Sequence, residues 1–137
     1  MIKKNFKDLE IGAKSVFEKT ITEADVFAFA GICGDFNPLH VSETFAKNSM
    51  FKGRIAHGLL VAALIDYTLT DILGLGAIHI SQNCRFKAPV KIGDTVTVES
   101  ELVDKKEEKN RVKINSTLKN QDEVVVLTGE MEGMLPS

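Results

Sequence analysis

The chain has 137 residues, 44% of them hydrophobic and 26% charged, which suits one globular domain (1–137) with its own core. Its 17 basic and 19 acidic residues give a net charge of −2, so the balance points away from nucleic-acid and anionic-membrane partners, both of which favour a basic face. The opening MIKKNFKDLEIG lacks the apolar centre of a signal peptide, and the apolar run Leu59 to Ile65 is far too short to span a bilayer.

In chain order, Ser15 to Thr20 reads as a short strand after the Ile11-Gly12 turn. A helix follows from Thr22, where Thr22 and Asp25 have the spacing of a capping box and Ile21 and Val26 that of a hydrophobic staple. Val26, Phe29, Ala30 and Cys33 recur at i, i+3, i+4 and i+7, predicting a stripe that faces the core. Gly34 ends that helix.

Residues 34 to 40, GDFNPLH, then bring a carboxylate, Asp35, and an imidazole, His40, five positions apart across a polar turn. These are the side chains best suited to move protons near neutral pH. Asn37 favours a local turn, and Pro38 fixes its own φ while pushing the residue before it out of helical conformation. The plain alternatives are a turn residue for Asp35 and a satisfied polar residue under a loop for His40.

Ser42 caps a short helix through about Lys47, and Phe51 to Ile55 is irregular, with Gly53 and the cations Lys52 and Arg54. His57 to Leu73 is helical, nearly all apolar through Ile65, and so predicted to be surrounded by protein until Gly74 and Gly76 end it. The remainder is strand-like. Ala77 to Lys87 opens it, and Pro89 with Gly93-Asp94 marks a turn. Val96, Val98 and Leu102 alternate with polar residues, as do Val112, Ile114 and Leu118, and Val124 to Glu132 closes the set. Residues 104–110 and 120–122 read as hairpin turns. The expected class is α+β, an antiparallel sheet wrapped round a long central helix. Its exposed edge strands predict at least a homodimer.

GDFNPLH followed by FKGRIAHGLL (51–60) resembles the MaoC-like (R)-specific enoyl-CoA hydratases of the hot-dog fold. The likeness extends over most of the chain, including FAFAGICGDFNPLH and IHISQNCRFKAPVKIGDTV (78–96). It implies hydration of trans-2-enoyl-CoA to (R)-3-hydroxyacyl-CoA, with no cofactor beyond the coenzyme A of the substrate. Asp35 and His40 match the catalytic pair of that family. Gly58 matches the residue whose backbone N–H polarises the thioester carbonyl. Asp66 departs from the pattern, standing where relatives carry a serine. It either raises a neighbour's pKa by repulsion or points away, and it stays outside the catalytic set.

The remaining candidates have plainer readings. His57 is expected to be a structural residue at a helix start, donating a local hydrogen bond, and His79 a solvated strand residue. With no third ligand at a suggestive spacing, His40 and His57 are not expected to share a metal. Cys33 and Cys84 have no CxxC spacing and read as buried thiols of a reducing cytoplasm. Lys52, Arg54, Arg85, Lys87 and Lys91 are weak candidates for the phosphates of coenzyme A. Phe36, Leu39, Phe45 and Phe51 either wall an acyl pocket or pack in the core. The rival activities are a hot-dog thioesterase, a dehydratase acting on acyl-carrier-protein substrates and a non-catalytic acyl-CoA-binding module. The paired Asp35 and His40 argue against the thioesterase, because hydrolysis does not call for that loop.

Overall fold

Alternating apolar residues build the sheet of this protein, whose computed structural model describes residues 1–136. Val96, Val98, Ser100 and Leu102 of β3 (Thr95–Lys106) point inward, as do Val112, Ile114, Ser116 and Leu118 of β4 (Arg111–Lys119). Register sets Val98 opposite Leu118, Ser100 opposite Ser116 and Leu102 opposite Ile114. With β1 (Lys14–Thr20), β2 (Ile78–Phe86) and β5 (Val125–Met134) they form one antiparallel sheet in the order β1-β3-β4-β5-β2. The β3–β4 turn is shorter than 104–110. Residues 104–106 stay paired in β3 beyond a register shift between Leu102 and Asp104, and a single 3₁₀ turn with left-handed Asn110 (φ 51°) reverses the chain.

The expected long helix is two segments, α4 (Gly58–Ala63) and α5 (Ile65–Leu73). Leu64 between them keeps right-handed helical angles, but its N–H bonds to the Val61 carbonyl at 3.2 Å, so the turn is tightened rather than bent away. α5 lies on β1, β3 and β5 and buries Ile65, Leu69, Ile72 and Leu73. Its approach to β5 depends on Gly133: a Cβ there would come within 2.6 Å of a Leu69 methyl and 2.9 Å of a Leu73 methyl. A hydroxyl chain ties the helix down. Thr68 donates to the Ile65 carbonyl (2.6 Å), so Ser100 donates to Thr68 (2.7 Å) and Ser116 to Ser100 (2.6 Å), all buried.

α1 (Glu23–Cys33) starts with the expected capping box. Thr22 Oγ1 accepts from the Asp25 N–H, and Asp25 Oδ2 accepts from the Thr22 N–H. Lys19, 2.8 Å away, holds the Asp25 carboxyl below its ordinary pKa, with further lowering from the Thr22 bonds. That contribution to stability is present above the usual carboxylate pKa and fades as pH falls through the lowered one. Thr22→Ala is expected to reduce the unfolding free energy by about 1 kcal/mol, read from urea melts. The core stripe is narrower than predicted. Val26 and Ala30 are buried and Phe29 half-buried, whereas Cys33, in the last turn, is exposed. The expectation of two buried thiols therefore fails for Cys33. Cys84 is half-buried, and burial pushes its thiol pKa up against an opposing bond from Gln82.

β2 is an edge strand almost uncovered on both faces, exposing Ile78, Ile80 and Phe86. Among the described residues no helix is long and apolar enough to cross a membrane.

Candidate active site

The GDFNPLH turn is built from side chains bonding to nearby backbone. Gly34 ends α1 in the left-handed region (φ 82°), where a Cβ is strained. Asp35 Oδ1 then accepts from the Asn37 N–H (3.1 Å), and Asn37 Oδ1 accepts from the Leu39 N–H (3.1 Å), capping α2 (Pro38–Val41) with Pro38 at its first position. These bonds leave Asp35 Oδ2 unengaged within its own turn and carry His40 inward. His40 is buried, while the Asp35 side chain is 54% exposed.

The His40 ring has a defined tautomer. Nδ1 lies 2.7 Å from the Ile55 carbonyl, which only accepts, so Nδ1 carries a hydrogen and, in the neutral ring, Nε2 presents a lone pair. That Nε2 is 3.8 Å from Asp35 Oδ2. The separation is too long for a direct hydrogen bond, and short enough for one water oxygen to lie within bonding distance of both.

Gly58 opens α4, so its N–H has no acceptor within the helix. It lines a cavity of about 360 Å³ with Phe51, Ile55, Ala56, Val61 and Phe86 among the other walls. A Cβ on Gly58 would stand 2.7 Å from the Phe86 ring, so the absence of a side chain is what lets Phe86 pack this close to the residue. Asp35 and His40 do not themselves line the cavity, and Ile55 connects it to His40.

Of the predicted acyl wall, Phe51 lines the cavity, Phe36 and Phe45 are exposed, and Leu39 is half-buried. Phe86, Val90 and Val61 were not foreseen as its walls, although the FKAPV segment (86–90) holds the first two and the apolar helix entry after Gly58 the third. Among the predicted cations, Arg54 is held by Glu23 (2.7 Å) and Glu43 (3.0 Å), which raise its already high pKa, the Glu23 bond foremost. It is therefore engaged within the protein. Lys87 does line the cavity.

Asp66 pairs with His79 (3.2 Å), whose other nitrogen meets Gln82 (2.9 Å). So His79 is not merely solvated. Asp66→Ser removes this exposed pair and is expected to leave the melting temperature nearly unchanged by calorimetry.

His57 departs most from expectation. It is buried, and its Nε2 donates to the Asp35 carbonyl (2.9 Å), 22 positions away, rather than locally. Its ring stacks on His40, with centroids 3.9 Å apart and planes at 26°. Asp35, His40 and His57 thus supply ligand-type atoms all within 4.8 Å, a third donor that spacing did not reveal. The stack argues against a shared ion, since ring lone pairs lie in the ring planes and nearly parallel planes do not converge at the ~2 Å a metal bond requires.

The MaoC like domain model matches residues 7–124. The chain is 47% identical over 126 residues to a 3-hydroxybutyryl-CoA dehydratase of Methylorubrum extorquens, covering 91% of this chain and 80% of that protein. It is 42% identical over 133 residues to an (R)-specific enoyl-CoA hydratase of Rhodospirillum rubrum, covering 96% and 92%. Among solved structures, the R-hydratase PhaJ1 from Pseudomonas aeruginosa superposes with a TM-score of 0.90 at 40% identity, over 96% of this chain and 85% of that one. The sheet and helix described above are therefore a hot-dog fold, and the chain belongs to the MaoC-like domain family.

Proposed function

We infer that this chain is an (R)-specific enoyl-CoA hydratase, a hydro-lyase that adds water to trans-2-enoyl-CoA to give (R)-3-hydroxyacyl-CoA. The observation that carries this reading is the pairing of two free acceptors, His40 Nε2 and Asp35 Oδ2, 3.8 Å apart. A water between them gives one hydrogen to each acceptor and keeps a lone pair for C3 of the enoyl group. As the C3–O bond forms, the pair takes one proton from the water and the thioester oxygen gains negative charge. The Gly58 N–H stabilises that charge, a contribution typically worth roughly 3 kcal/mol. The proton then goes to C2. In sum the C2=C3 π bond and one water O–H bond break while a C3–O and a C2–H bond form, with no net oxidation or reduction, so the reaction needs no cofactor beyond the substrate's own coenzyme A.

The cavity at Gly58, walled by Phe51, Val61 and Phe86, suits an apolar acyl chain. Lys87 on the same wall is the cation best placed for the phosphates of the substrate. Both cysteines are free thiols, as suits a reducing compartment, and on that ground we assign the protein to the cytoplasm.

The working unit in this reading is a homodimer joined along β2, whose apolar residues and free edge call for a partner. Ile80→Lys is expected to shift the protein to monomer in light scattering, with lower activity. A wild-type protein that is itself monomeric would contradict the assignment.

The reaction is tested by incubating the protein with crotonyl-CoA while following enoyl-thioester absorbance, free thiol and product chirality. Loss of absorbance, no thiol and (R)-3-hydroxybutyryl-CoA are expected. Thiol release without hydration would make it a thioesterase.

A further inference from the structure

We propose that His57 is a positioning residue for this hydration, fixing the acid–base pair at a set distance from the Gly58 amide. The proposal rests on the hydratase reading above. Three features meet in this one side chain. It is covalently joined to Gly58, its Nε2–H bonds to the Asp35 carbonyl at 2.9 Å, and its ring stacks on His40 at 3.9 Å.

Asp35 needs such an anchor. Its side chain is 54% exposed on a loop, and Oδ1 bonds only within its own turn. Among the described residues, the His57 bond is the one hydrogen bond tying Asp35 to the chain beyond that turn. His40 is held on one side by the Ile55 carbonyl and on its face by His57. Releasing His57 therefore loosens both members of the pair relative to Gly58 together.

Packing alone does not account for an imidazole here. His57 is 3% exposed, stands at the N-cap of α4 without making a side-chain cap bond, and leaves Nδ1 buried with no partner. A phenylalanine would fill similar space without stranding a nitrogen. What the imidazole adds is the Nε2–H donor. Misplacing reacting groups by about 1 Å is enough to lower a rate about 100-fold.

The test compares His57→Ala, His57→Gln and His57→Phe with wild type on crotonyl-CoA, reading kcat, KM and melting temperature. Glutamine keeps a donor near the Nε2 position, whereas phenylalanine keeps the stack and loses the donor. His57→Ala is expected to lower kcat about 100-fold with KM within about threefold. His57→Gln should recover at least tenfold of that loss, and His57→Phe should stay near the alanine level. If the alanine variant does not fold, the glutamine–phenylalanine contrast decides alone. A phenylalanine variant matching wild type, a glutamine variant no better than phenylalanine, or a loss confined to KM would overturn the proposal. A wild-type protein inert toward enoyl-CoA would instead defeat the hydratase reading.

Discussion

His40→Ala is expected to lower kcat for crotonyl-CoA hydration by about 10²- to 10⁴-fold, the range for removing a positioned acid–base group. The ring supplies the Nε2 lone pair because the Ile55 carbonyl holds the hydrogen on Nδ1 at 2.7 Å. No other imidazole takes over. His57 lies alongside, but its Nε2–H is committed to the Asp35 carbonyl. The substitution also strands the Ile55 carbonyl and removes the partner of the His57 stack, so a stability loss of about 1 kcal/mol should accompany it. Thermal melts beside the kinetics separate the two effects. A folded variant hydrating at near wild-type rate would remove His40 from the mechanism.

Asp35→Asn is the cleaner of the large-effect changes. Asparagine retains an oxygen to accept from the Asn37 N–H, so the turn that delivers His40 stays formed. Its other terminal atom becomes an N–H₂ donor where Oδ2 faces His40 Nε2 across 3.8 Å. A water there loses one of its two acceptors and meets a competing donor. The expected result is a kcat reduced by about 10²- to 10⁴-fold with melting temperature and KM little changed. A large rise in KM with kcat intact would instead make Asp35 a substrate-binding group.

The chain itself carries much of this arrangement. Asn37 and Pro38 announce the turn that brings Asp35 and His40 together, because their effects on the backbone are local. Thr22, Asp25 and Gly34 mark the ends of α1 for the same reason. Alternation in β3 and β4 settles which residues face inward, though it hides that Ser100 and Ser116 meet as a bonded pair under Thr68.

What local pattern does not carry is partnership across the fold. His57 reads as a helix-start residue until the structure places the Asp35 carbonyl beside it, 22 positions earlier. Arg54 reads as a free cation until Glu23 and Glu43 are found around it. Cys33 follows the helical spacing of Val26 and Ala30 yet is exposed, because the last turn of α1 runs past the core. The tightened turn at Leu64 likewise interrupts a run whose composition is uniformly apolar.

The most direct measurement is a double-mutant cycle on Asp35 and His40, using kcat for crotonyl-CoA hydration by Asp35→Asn, His40→Ala and the combined variant. Two groups that act together on one water predict that the combined variant is no slower than the slower single one, within a few fold. Losses that multiply across the cycle would show that the two side chains act independently, and would contradict the shared water on which the account stands.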